Sequence, residues 1–214
     1  MRKDLREKDM DFVKIREEYL SEFSYGEACA TPYFTEQYHQ FESEMLYAVI
    51  RHIKPSSVIE FSPNKGFTSW IIMKALHENG PGSRLFSFDI DPSSVRMKHS
   101  FDVERIFTHG DAIAHVPLYT ATCDFMFIDS DHSYEFAQDY CREIIPDLEK
   151  GTIVFIHDWN ERELLESKAV MESGLLRPLF NCKEYLITQD PEIGVEWSEK
   201  WLDLRSPTQI LERI

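Results

Sequence analysis

Val58-Ile59-Glu60-Phe61-Ser62-Pro63-Asn64-Lys65-Gly66-Phe67-Thr68-Ser69 is the stretch on which the fold turns. A short apolar run enters a turn of small and polar residues, and a helical pattern leaves it over residues 67–78, closed by Asn79-Gly80. Downstream the alternation repeats. Short apolar runs lie at 58–61, 85–88, 105–108, 124–128 and 152–156, and a second helical segment at 133–145 carries Phe136, Tyr140 and Ile144 on one stripe. Continuous apolar runs of this length suit strands buried on both faces of a parallel sheet. Strand, helix, strand in repetition predicts an α/β protein with a doubly wound sheet.

The flanks read differently. Residues 11–23 place Phe12, Ile15, Tyr19, Leu20 and Phe23 near helical spacing, and a turn-like stretch follows to Pro32. A helix over 35–53 carries Tyr38, Phe41, Met45, Leu46, Val49, Ile50 and Ile53, with Thr35 as its cap and Lys54-Pro55 as its stop. Beyond Asp158 the pattern predicts a helix over 161–172. Strands at 185–188 and 194–197 then follow, joined around Asp190-Pro191 as an antiparallel hairpin. Residues 1–55 thus form a helical N-terminal extension and 56–214 the sheet domain. The aromatics Tyr33, Phe34, Tyr38 and Phe41 are core residues or a cover over a substrate.

Composition narrows the function. Of 214 residues, 43% are hydrophobic and 13% aromatic, enough for a sizeable core. The 23 basic and 38 acidic residues leave a formal charge of −15, which disfavours general binding to nucleic-acid backbones or anionic membranes. No apolar run is long enough for a transmembrane helix. The charged residues 1–18 do not resemble a signal peptide. Cys29, Cys123, Cys141 and Cys182 show no metal-knuckle spacing, and reduced thiols in a cytoplasmic setting are expected.

Ligands of open α/β sheets sit beyond the carboxyl ends of the strands. There the five runs finish in Glu60/Ser62, Asp89/Asp91, Gly110/Asp111, Asp129/Asp131 and His157/Asp158, an acid at every end. The first turn lacks both Gly-x-Gly-x-x-Gly and a P-loop lysine, which counts against NAD and nucleoside triphosphates. Asp89 follows Gly66 by 23 positions, close to where a ribose-binding carboxylate falls in a βαβ unit.

With these pieces in order over residues 56–160, the chain resembles a class I S-adenosylmethionine-dependent methyltransferase. Within that class it is similar to the macrocin O-methyltransferase and cephalosporin-hydroxylase-like group. The resemblance rests on the 58–69 turn, Phe88-Asp89-Ile90, Gly110-Asp111-Ala112, Phe127-Ile128-Asp129-Ser130-Asp131-His132-Ser133-Tyr134-Glu135, and Gly151-Thr152-Ile153-Val154-Phe155-Ile156-His157-Asp158. It implies a Rossmann-like seven-stranded sheet, mostly parallel, ending in the antiparallel hairpin. It also implies a methyltransferase domain over 56–214; residues 1–55 carry no motif of the family and are expected, from their place before the first strand, to be a helical extension or lid. Glu60, Ser62 and Gly66 would border the methionine end of S-adenosylmethionine. Asp89 would hold the ribose, Asp111 would sit by the adenine, and Asp129 would lie beside the methyl-donor sulfur and the substrate. The family has glycine where Ser62 stands.

Metal-dependent members place acids at the ends of strands four and five, so the resemblance implies Asp129, His157 and Asp158 as ligands for Mg2+ or Mn2+. Carboxylate and imidazole donors suit such ions. Asp129, Asp131, His132 and His157 are the catalytic candidates; without a metal, His132 or His157 is the base. Asp131 and Ser133 could equally cap the following helix. The expected reaction is methyl transfer to a hydroxyl of a small molecule, sugar-like or natural-product-like, with no nucleic-acid or membrane partner and with homo-oligomerisation left open. Metal-assisted hydrolysis at Asp129/His157/Asp158 and a non-catalytic S-adenosylmethionine-binding module are the alternatives.

Overall fold

A computed structural model describes residues 10–34, 40–93, 100–159, 165–182 and 208–214. In chain order its elements are α1 (Phe12–Tyr19), α2 (Tyr25–Cys29), α3 (Gln40–Ile53), β1 (Ser57–Phe61), α4 (Phe67–Asn79), β2 (Arg84–Asp89), β3 (Glu104–His109), α5 (Ala112–His115), β4 (Phe125–Ile128), α6 (Tyr134–Glu143), β5 (Ile153–Ile156), α7 (Leu165–Ser173), β6 (Leu176–Asn181) and β7 (Gln209–Arg213). The strands form one seven-stranded sheet in the order β3-β2-β1-β4-β5-β7-β6. The first five are parallel, and β7 pairs antiparallel with both β5 and β6. The chain order reverses between β1 and β4, the switch point where such sheets open a crevice.

The runs at β1, β2, β4 and β5 became strands because alternate residues on both faces are buried, while β3 forms a half-buried edge. Val58, Leu85, Phe125, Phe127, Ile153 and Phe155 pack with α1, α3 and α4 on one face. Ile59, Phe61, Phe86, Phe88, Met126, Ile128, Val154 and Ile156 pack on the other, with Tyr140 and Cys141 of α6 and Ala169 and Val170 of α7. On α3, residues 45–50 are fully buried or nearly so, which fixes that helix to the sheet. The N-terminal periodicity resolves into two helices, α1 and α2, capped by Asp11 and Ser24. Among the described residues no helix is long and apolar enough to cross a membrane.

One expectation needs relocating. The antiparallel pair exists, but as β6 and β7, well separated in sequence. The expected strands at 185–188 and 194–197 lie outside the described residues. So do Tyr38, the proposed cap Thr35, and the first residues of the helix expected over 161–172, which is seen from Leu165. Pro178 sits beside a bulge of the edge strand β6, where a missing N–H is tolerated. That proline hides the strand from a reading of apolar runs.

Candidate active site at the carboxyl ends of the strands

The turn after β1 brings backbone into the crevice. Ser62 (φ 52°), Asn64 (φ 49°) and Gly66 (φ 96°) all lie in the left-handed region, which is costly for the two that carry a Cβ. The turn is held from several sides. Ser62 N–H donates to the Phe88 carbonyl at 2.8 Å, and Gly66 N–H to the Pro63 carbonyl at 2.7 Å. Ser62 Oγ donates to Ser130 Oγ at 2.8 Å, joining the first turn to the loop after β4. Gly66 caps α4.

Glu60 stands behind this turn, with no exposed surface. Its carboxylate accepts from Thr68 Oγ1 at 2.9 Å, Ser69 Oγ at 2.7 Å and Ser87 Oγ at 2.7 Å. Burial raises its pKa against the opposing pull of Arg105 and the three hydroxyls. Glu60 therefore braces the turn from inside, and does not itself line the crevice as expected. Asp89, at the end of β2, accepts from Asn64 N–H at 3.1 Å and Asp91 N–H at 2.9 Å. The next residue, Ile90, is 76% exposed, an apolar surface beside a carboxylate that the sequence reading passed over. Asp111 is exposed and caps α5 by accepting from Ile113 N–H at 3.0 Å.

The ends of β4 and β5 form the second half of the site. Phe127 and Phe155 share the face covered by α3, and two-residue alternation carries Asp129 and His157 to that same face. His157, 2% exposed, meets Asp129 Oδ1 through Nδ1 at 3.2 Å, while its Nε2 lies 3.9 Å from Glu42 Oε2 on α3. Glu42 accepts from Thr208 Oγ1 at 2.6 Å. Burial alone would lower the pKa of His157, but the Asp129 carboxylate, with Glu42 and Asp158 adding, pushes it up to about 9. The same pairing holds Asp129 below the usual carboxylate range despite its burial.

Asp158 breaks the alternation. At φ 53° it swings out of the strand direction, and its Oδ2 lies 3.4 Å from His132 Nε2. His132 Nδ1 meets Glu166 Oε2 on α7 at 2.8 Å, and Glu166 Oε1 accepts from Tyr140 Oη at 2.9 Å. One ligand atom each from Asp129, His132 and Asp158 lie within 4.8 Å of one another, and the buried Asp158 Oδ1 has no hydrogen-bond partner. Two carboxylates, an imidazole and an orphaned oxygen are a fitting donor set for a divalent cation. This group holds His132 where the expectation named His157, whose two nitrogens face Asp129 and Glu42. Asp131 is exposed and accepts from Ser133 N–H at 3.0 Å, ahead of α6, outside this group. Glu42, Tyr140 and Glu166 were missed by sequence reading. The only signal was an acid in an otherwise apolar helical stripe.

Comparison with known proteins bears on the fold. Residues 63–159, from the first turn to the end of β5, match a family model described as a methyltransferase domain. No curated protein sequence matches the chain. Among solved structures, an O-methyltransferase from Bacillus cereus in complex with SAH is 14% identical, with 99% of this chain and 94% of that one covered and a TM-score of 0.55. A methyltransferase from Geobacter sulfurreducens is 16% identical, covering 98% and 92%, at 0.52. The O-methyltransferase TomG from Streptomyces achromogenes, in complex with SAM, is 15% identical, covering 83% and 84%, at 0.53. Identities this low speak to the fold. Residues 63–159 are thus similar to a methyltransferase domain, and the chain has the Rossmann-like seven-stranded fold of the methyltransferases it resembles.

Proposed function

We propose that the protein methylates a hydroxyl of a small molecule, sugar-like or natural-product-like, in the manner of the macrocin O-methyltransferase group, with a divalent cation, Mg2+ or Mn2+, assisting. The observation that carries the reading is the convergence of Asp129, His132 and Asp158 beside the turn that Ser62 ties to Ser130. O-Methyltransferases among the proteins of similar fold support the choice of oxygen.

S-Adenosylmethionine supplies an electrophilic sulfonium methyl when bound. The chain's own work is to hold and align. Asp89 accepts from the ribose hydroxyls, Ile90 and the α5 end bearing Asp111 flank the adenine, and the Ser62–Gly66 backbone faces the methionine portion. Residues 1–55 act as a lid on the 56–214 domain. Phe34, edge-to-face on Phe67 at 5.5 Å between centroids, already lies over the start of α4. Asp129, His132 and Asp158 would hold the cation, whose Lewis acidity lowers the pKa of the acceptor hydroxyl. In the absence of a cation His132 is the base, because its ring is partly exposed while His157 is closed in.

The test is transfer of labelled methyl from S-adenosylmethionine across a panel of hydroxylated acceptors, with and without chelator. Methylation that chelation abolishes and manganese restores, and that Asp129→Asn and Asp158→Asn each largely remove, supports the cation. Chelator-resistant turnover in a metal-free preparation removes the cation and leaves His132. A panel with no methylated product under any of these conditions contradicts the reading.

A further inference from the structure

Glu166 has no exposed surface, yet it lies seven residues past the end of the matched methyltransferase domain. A buried carboxylate is costly unless it is paired, and an apolar side chain at that position would pack beside Ala169 and Val170 without the penalty. Its oxygens have two definite partners, Tyr140 Oη at 2.9 Å and His132 Nδ1 at 2.8 Å. The other nitrogen of the same ring, Nε2, faces Asp158 Oδ2 at 3.4 Å and Asp129 Oδ1 at 3.8 Å. The first distance is that of a good hydrogen bond, and the latter two are longer than one. A short bond to a carboxylate at one nitrogen favours the ring proton there and a lone pair on the other.

We propose that Glu166 is a positioning residue: it accepts the Nδ1–H of His132 and so presents a bare Nε2 to the opening between Asp129 and Asp158. Tyr140, donating to the second oxygen, fixes the rotation of the carboxylate, and the packing of α6 against α7 carries that orientation to the site. An Nε2 lone pair held there serves either role of the preceding section, accepting the hydroxyl proton or ligating a cation. The purpose of the dyad rests on the methyl-transfer reading; its geometry does not.

The experiment is nitrogen-resolved NMR of the protein labelled with 15N-histidine, with the His132 ring assigned by the signals lost in His132→Asn. At a pH where the ring is neutral, wild type should show a protonated Nδ1 and a bare Nε2. Glu166→Gln keeps the side chain's shape and can turn its amide to donate to Nδ1, so the proton should move to Nε2. A wild-type ring protonated at Nε2 overturns the proposal, as does a tautomer unchanged in Glu166→Gln. If that variant does not fold, the wild-type tautomer alone decides. Titration of S-adenosylhomocysteine into the same wild-type sample reads the methyltransferase assignment separately. Its failure to bind would sink that assignment and leave the tautomer result standing.

Discussion

At the scale of single residues, the left-handed Ser62 separates two contributions that usually travel together. Its backbone would be relaxed by glycine, by about 1 kcal/mol, while its hydroxyl bond to Ser130 contributes roughly 0.5–1.5 kcal/mol. Ser62→Gly should therefore leave stability within about 1 kcal/mol of wild type, whereas Ser62→Val, β-branched at a positive φ, should lose about 1–3 kcal/mol; denaturant unfolding checks both. His157 sets a pH dependence. Its folded pKa of about 9 lies above its ordinary value of 6.5. Its contribution is then complete below about pH 6.5 and is lost as pH rises through about 9, on the order of 2–4 kcal/mol. Asp129, held low, works in the opposite sense: its contribution is present above its ordinary value of 3.8 and fades as pH falls below it. Unfolding measured from pH 6 to 10 should show this alkaline loss in wild type and a flatter profile in His157→Asn. Asp89, Asp129 and Asp158 were legible in the sequence because strand ends in this fold collect ligand groups. The grouping of His132 with Asp129 and Asp158 was not. It depends on the parity of the last strand residue and on one positive φ at Asp158, neither of which has a residue signature.

At the scale of elements, the parallel strands could be read from apolar runs, since all but the half-buried edge strand β3 are covered on both faces. The final antiparallel pair could not be placed. β6 and β7 meet through a register that links Leu176 to Arg213 across a long intervening segment, and non-local pairing leaves little local trace. The N-terminal helices illustrate the opposite case. Their stripe was plain, and the structure shows where it goes: Phe12, Ile15 and residues 45–50 share one core with β1, β4 and β5. Truncation through residue 53 should consequently give insoluble or unfolded protein, seen by circular dichroism and size-exclusion chromatography. Leu46→Ala, at a fully buried site on α3, should cost about 2–5 kcal/mol in denaturant unfolding. A truncated chain with a cooperative thermal transition would show that the sheet stands without its helical cover.

At the scale of the whole molecule, the sheet order places two half-sites on either side of the switch between β1 and β4. β1 and β2 supply the turn and Asp89; β4 and β5 supply Asp129, His157 and Asp158. The Ser62–Ser130 bond joins the two halves. The account stands or falls on the first half-site binding its cofactor, because every step assigned to the second presupposes it. Isothermal titration with S-adenosylhomocysteine tests this directly, alongside thermal unfolding, which a ligand selective for the folded state must shift upward. The account predicts saturable binding to wild type and a loss of roughly 1.5–3 kcal/mol, about 10- to 150-fold in Kd, for Asp89→Ala. Absence of binding to folded wild-type protein, or equal affinity in a folded Asp89→Ala variant, would contradict it.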